Sequence, residues 1–586
     1  MNFIDFRVNN ESLDVGKDLR IRLSLISPLF SGEIGYNSQS FSFTLPNSPR
    51  NRRLLGFPDL ITQKNVSFDV SADLWLGGNY FDSGSLRVSP AGPYSPFQVV
   101  FLLGISPLVV SLAEKSLHDY TYDGIRAISS NPQSFQGNDD MVAHANAAAA
   151  SDIDSYDYTF FPIKNPSFYL MPAFGGPLPG DNGYMNYWQA GSFIHSEAGY
   201  NAGIGPFITN LVPQPYLLYI MRSLIEEEGY SLADSDWTLD SEIKTLTIYN
   251  TYSLDDTLWS YPFGPTLFNA HWYKTDIDLK NHVPDISAKD FILGICRNFN
   301  LAPIIKRKKL TLLPKKDLVV STDQTDWRDK CITYSHGYEN APGYSFFSDQ
   351  DEEDLLNGSN YVQSEGPGEI HGTVDTYADL PVSPANGLRY YVKDSNTLYL
   401  SGQSGSWVGE GYYLFPVLHE DGAEDKPSPV STTETYNDTW HDSYVWRIPY
   451  TDQLGNSENY FLIDVPFAAR LLFYRGLVTD DPTPGAYPQA TCDDKLGAFN
   501  YSLFWHGDKG LYETWWKPWL DKLLRFRPIT TQMKLDLVDL LNLAWETKVR
   551  IRAEEGEATG FMRKIDIEIS QDSIKPASVE IIPTVL

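Results

Sequence analysis

The feature that most limits how this chain can fold is residues 287–317, SAKDFILGICRNFNLAPIIKRKKLTLLPKKD. Ser287 followed by Asp290 is a variant of the capping box, placing oxygens where the first N–H groups of a helix lack partners. Phe291, Ile292, Ile295 and Phe299 recur at helical spacing and give one apolar face. Asn298 and Asn300 are stop signals, because Asn tolerates the left-handed conformation. Two short apolar runs, 301–305 and 310–313, then flank the basic turn Lys306-Arg307-Lys308-Lys309. The pattern predicts a helix that delivers the chain into a β-hairpin. A related unit lies upstream: residues 215–228 read as a helix, Gly229 suits the position after its end, and 230–232 leave in extended form. Two helix-then-strand units in an otherwise strand-rich chain are an uncommon combination.

The run S-x-x-D-F-I-L, then FNLAPII, then KLTLLPKKDL, with Asp326-Trp327 soon after, resembles the hub protein at the tail tip of tailed bacteriophages, a family also found in contractile injection machines. Near the start, FSFTLPNSPRNRRLLGF, VSFDVSADLWLGG and FDSGSLRV resemble that family's opening barrel, which is itself similar to the tail-tube subunit. Near the end, the strands around KVRI and GFMRKIDIEI resemble the close of its second tube-like barrel. The resemblance has least support in 120–205 and 410–440. It implies a mainly β protein with α+β insertions: two tail-tube-like β-barrels, helix-strand domains and a small inserted β module.

The residues themselves give a compatible division. A chain of 586 residues exceeds one hydrophobic core. Its 36 Tyr, 31 Phe and 14 Trp, with 42 Gly and 38 Pro, favour strands and turns over long helices. Alternating runs at 3–8, 19–26, 40–45, 66–76 and 84–88 predict strands, which the resemblance assigns to a first barrel within 1–125, and a short helix is expected over 107–119. Residues 126–205 form a loop-rich extension, which either packs on a neighbour or exposes an aromatic binding surface. An α+β domain occupies 206–330, and 331–365 hold a return strand and an acidic loop. The acidic stretch 348–358 lacks the Gly and Glu that a calcium loop needs at its sixth and twelfth positions, so a solvated loop is expected.

Residues 366–440 hold an inserted small β module. Within it TYADLP leads to two alternating runs around Lys393-Asp394-Ser395-Asn396, and Trp407 closes the pattern. The start and end resemble a small module common in phage tail and fibre proteins. Its aromatics either fill a small β core or bind sugar. Residues 441–586 are assigned to the second barrel. Within them GLYETWWKPWLDKLL reads as a helix, or one broken near Pro518, whose Trp515, Trp516 and Trp519 bury against the scaffold. A membrane-interface role for this segment lacks flanking cations.

The formal charge of −30 argues against wrapping nucleic acid by phosphate neutralisation. It serves solubility and partner choice, or lines a channel that repels passing DNA. Cys296, Cys331 and Cys492 are too scattered and odd in number for a disulfide framework. No secretory signal and no integral membrane segment is visible. HExxH, paired CxxC, GxSxG and GxxxxGK[ST] patterns are absent, and His118, His271 and His336 have no ligand partner at metal spacing. No enzyme activity, cofactor or metal is therefore expected. The structural and interface candidates are Phe291, Ile295, Phe299, Trp515, Trp516 and Trp519.

The resemblance implies a structural virion protein at the tail tip or baseplate, assembled in the host cytoplasm. It would join the tail tube to the distal tip or fibres and form part of the DNA channel. The implied partners are two further copies in a homotrimer, tail-tube or distal tail proteins, and tip spike or fibre proteins, with a tape-measure protein as a further candidate. DNA would pass through without specific binding. Readings from other classes are a tail-associated cell-wall hydrolase and a glycan-binding surface protein.

Overall fold

The computed structural model describes residues 3–31, 38–59, 68–89, 95–103, 107–130, 135–164, 184–189, 191–193, 211–250, 254, 256–263, 266–273, 275–306, 308–336, 344–345, 372–374, 376–382, 388–392, 397–401, 407–412, 416–418, 430–432, 435–440, 444–449, 469–479, 486–493, 499–504, 508–523, 528–553 and 556–585. The acidic stretch 348–358 lies outside them, as do most of 165–210 and all of 450–468.

Alternation of apolar and polar residues builds strands with one buried face. Ile4–Val8 buries every second residue, as does Phe97–Leu103, and Gly556–Ser570 keeps the pattern over most of its length. These strands belong to one fourteen-stranded, mainly antiparallel sheet. It combines the first hundred residues with Gln324–Asp326, Cys331–His336, Ile529–Met533, Lys548–Ala553, Gly556–Ser570 and Ala577–Val585. The two chain ends meet where Arg20–Ile26 pairs with Gly556–Ser570, from Arg20 opposite Ser570 to Ile26 opposite Lys564. A single apolar core, including Phe6, Leu23, Phe101, Ile551, Ile565 and Ile581, lies beneath both contributions.

This arrangement corrects the expected two tube-like barrels. The described strands make one curled, half-barrel sheet, and two full barrels are not present among them. The physical reason is the 20–26/556–570 joint: strands expected in separate barrels satisfy each other's N–H and C=O groups. The strand Phe97–Leu103, absent from the sequence reading, bonds to three other strands of the sheet.

Both helix-then-strand units form. Leu217–Glu227 ends in a Schellman turn, with Gly229 at φ +75° and the Tyr230 N–H donating to the Ile225 carbonyl at 3.1 Å. Ala288–Asn298 leads into the hairpin Leu301–Lys306 and Lys309–Pro314. The units converge, because Ser231–Leu232 adds to that hairpin as a parallel strand beside Lys309 and Leu310. A second small sheet pairs Leu246–Ile248, Val430–Thr432 and Tyr487–Thr491 with Ala469–Val478. The strand at 469–478, assigned from sequence to the second barrel, thus sits with the helix units.

The inserted module is a four-stranded sheet of Gly372–Val374, Arg389–Val392, Thr397–Ser401 and Trp407–Tyr412. Trp407 opens its last strand, donates its indole N–H to the Pro381 carbonyl and packs edge-on against Tyr390. In the loop-rich region Phe160, Phe161, Tyr187 and Trp188 are buried, so these aromatics pack inside. Among the described residues, no helix is long and apolar enough to cross a membrane.

Candidate functional site

The candidates from residues 288–299 and 511–523 meet in one place. Ser287 caps the first helix: its hydroxyl accepts the Asp290 N–H at 3.0 Å and donates to the Asp290 carboxylate at 2.8 Å. Phe291, Ile295 and Phe299 are then fully buried. Asn300 is the residue that stops the helix, at φ +47°, whereas Asn298 lies inside it and donates its amide to the Val430 carbonyl.

The second element begins as a π-helix, Tyr512–Trp516, and continues as Lys517–Leu523. The Lys517 N–H reaches the Tyr512 carbonyl five residues back. The wide turn precedes Pro518, whose missing N–H breaks the ordinary ladder. Trp515, Trp516 and Trp519 are all buried.

The elements are fastened by hydrogen bonds and rings. The Trp516 indole donates to the Arg297 carbonyl at 2.9 Å, and the Asn300 amide donates to the Trp515 carbonyl at 3.0 Å. Phe299 contacts both Trp237 and Trp515 at a centroid distance of 5.4 Å. Trp519 reaches the large sheet, its ring tilted at 46° against that of Phe561 with centroids 5.3 Å apart. The site is therefore a joint between the helix units and the curled sheet.

Two lysines enter the joint. The Lys316 ammonium lies 3.6 Å above the Trp515 ring, and burial lowers its pKa. Lys315, buried where Lys316 is half-buried, lies 6.0 Å from the Trp516 ring and 5.9 Å from that of Trp519. Burial pulls its pKa down from 10.5 to about 8 and pushes the thiol of neighbouring Cys296 up to about 12. The Lys548 ammonium donates to the Val319 and Ser321 carbonyls, both at 2.6 Å, tying the end of the Lys315–Val320 helix to the sheet.

A second buried fastening holds the 469–478 strand. Arg475 pairs with Glu242 at 2.7 Å, with side chains 1% and 8% exposed. Its guanidinium also donates to Thr491 and to the Asp493 carbonyl, and it lies between the Phe473 and Phe499 rings. Glu242 in turn accepts the Asn500 N–H at 2.8 Å. The pair spans more than two hundred residues of chain, so no local spacing announces it. Trp237 had a local signal that sequence reading passed over: Ser235 and Thr238 around it form a capping box.

Chemically this is a packing and fastening site. Among the described residues, no group of three or more His, Cys, Asp or Glu side chains is placed to hold a metal ion. The chain matches no protein-family model and no curated protein. Two of the solved structures that it resembles at low similarity are tail proteins. One is the 43 kDa tail protein of prophage MuSo2 from Shewanella oneidensis: 7% identity, 99% of this chain and 98% of that chain covered, TM-score 0.34. The other is the tail protein from Neisseria meningitidis MC58: 8% identity, 99% and 97% covered, TM-score 0.28. Overlaps of that size leave the reading of this chain to its own residues.

Proposed function

We propose that this chain is a structural protein of a bacteriophage tail, acting as the hub that joins the tail tube to the distal tip or fibres. Three copies form a ring, the curled sheets face the axis, and DNA passes through without specific contacts. The observation that supports this reading is the joint between Arg20–Ile26 and Gly556–Ser570. It makes both chain ends into one continuous wall, and those ends carry the sequence resemblance to the hub family. The fastening at Phe299, Trp515 and Trp519 suits a part that transmits load between a wall and its outer helix units. A heterologous ring contact closes without open edges and suits stacking on a tube. No catalytic activity is assigned to it.

Negative-stain microscopy of the purified protein tests this. The expected class averages show a three-fold ring with a central hole. Isolated particles that release soluble fragments from peptidoglycan would replace the hub by the hydrolase reading.

A further inference from the structure

The chain carries 75 acidic and 45 basic residues, yet no Asp or Glu occurs between Asp290 and Asp317. That interval holds Arg297, Lys306, Arg307, Lys308, Lys309, Lys315 and Lys316, and 306–309 is the longest unbroken run of cations in the sequence. The fold divides them. Lys315 and Lys316 turn into the Trp joint, while Lys308 and Lys309 are exposed at the tip of the 301–314 hairpin.

The tip is costly in two ways. Lys308 sits at φ +62°, where Gly or Asn would be at ease and a lysine is strained. It also stands beside like charges. Lys306 is compensated by Glu546 at 2.9 Å. Among the described residues, Lys308 and Lys309 have no ion-pair partner. The turn backbone is held within the fold, since the Ser231 N–H donates to the Lys308 carbonyl at 3.0 Å, but the charge of the two exposed lysines is left without an ion pair among the described residues.

We propose that the Lys308–Lys309 tip is a docking point for an acidic surface on a second copy of this chain. The inference rests on the ring reading above and names a contact between neighbouring copies within it. With a net charge of −30, each copy is itself an acidic partner, and an exposed basic tip would be steered onto it. Two basic tips cannot face each other across a two-fold axis, since like charges repel. The contact joins unlike surfaces, tip on one copy and acidic surface on the next, and in the ring reading it repeats head to tail until the ring closes.

Sedimentation velocity of the full-length protein and of a Lys308→Glu/Lys309→Glu variant, at about 0.05 M and about 0.5 M salt, tests the proposal. Lys308→Asn/Lys309→Gln serves as a second variant that keeps the tip conformation and removes its charge. The wild type is expected to form an oligomer that weakens at high salt. Both variants should need at least about tenfold more protein to associate, with unchanged circular dichroism. Equal association of variants and wild type would overturn this contact and leave the ring reading standing. A wild type that stays monomeric in both salts would overturn the two together. If labelled duplex DNA binds the wild type, fails to bind the variants, and self-association is unaffected, the tip belongs to nucleic acid and the proposal falls.

Discussion

Phe299 and Trp515 meet edge to face, their ring centroids 5.4 Å apart and their planes at 89°. The two residues lie on elements separated by more than two hundred positions, and Asn300, next to Phe299, donates to the backbone of Trp515 itself. Truncation to Phe299→Ala removes a fully buried ring and this contact. The expected loss is about 3–5 kcal/mol, of which the aromatic pairing accounts for about 0.5–1.5 kcal/mol. Phe299→Leu should cost much less. Urea unfolding midpoints of the two variants check this. The more drastic Phe291→Asp, which buries a carboxylate in the same face, is expected to yield insoluble protein.

The Arg475–Glu242 pair is buried on both sides. Removing one partner leaves the other charge without compensation, so Glu242→Ala should destabilise by about 3–5 kcal/mol. A double replacement, Glu242→Met with Arg475→Met, should recover much of that loss, because no lone buried charge remains. A double-mutant cycle by chemical denaturation measures the difference. Equal losses in the single and double variants would mean that the surrounding hydrogen bonds to Thr491, Asp493 and Asn500 matter more than the charge pair.

Local signals were legible and long-range pairings were not. Ser287, the 291–299 apolar face and Gly229 each announce a feature within a single helix or at its end, and the fold has all three. The burial of Trp515, Trp516 and Trp519 was equally readable, because large aromatics at helical spacing need a core. Their meeting with Phe299 was not, since ring contacts across two hundred residues leave no period in the sequence. The same holds for the joint at Arg20–Ile26. Alternation gives each strand a buried face and says nothing about its neighbour, so strands from the two ends could be assigned to separate barrels.

Lys315 provides a pH signature. Its folded pKa of about 8 lies below its ordinary 10.5, because burial disfavours the ammonium. Above about pH 8 the folded state gives up this proton before the unfolded chain does, so stability rises with pH towards the ordinary lysine range. Below pH 8 both states are protonated and the full cost of burying the charge is present. Lys315→Met should remove the rise and stabilise the protein at pH 7 by roughly 1–3 kcal/mol. Melting temperatures of both proteins across pH 7 to 10 give the test. A wild-type curve parallel to that of the variant would show that the amine keeps its proton through this range.

Gly560 marks the closest backbone approach within the C-terminal part of the wall. A Cβ placed there would stand 2.1 Å from the Ile582 carbonyl oxygen and 2.6 Å from the Pro583 Cα. These are backbone atoms, so no side-chain rotation can relieve the clash. The register between Gly556–Ser570 and Ala577–Val585 also shifts at Thr559/Gly560, which bends the strand as the sheet curls. Gly560→Ala should therefore separate the two strands locally and cost at least about 2 kcal/mol. The damage should be confined to the wall. Amide hydrogen exchange should quicken along 556–570 and 577–585, while the 288–298 helix keeps its protection. Uniform loss of protection would instead mean that the wall and the helix units unfold as one cooperative body, with the Trp519–Phe561 contact carrying the coupling between them.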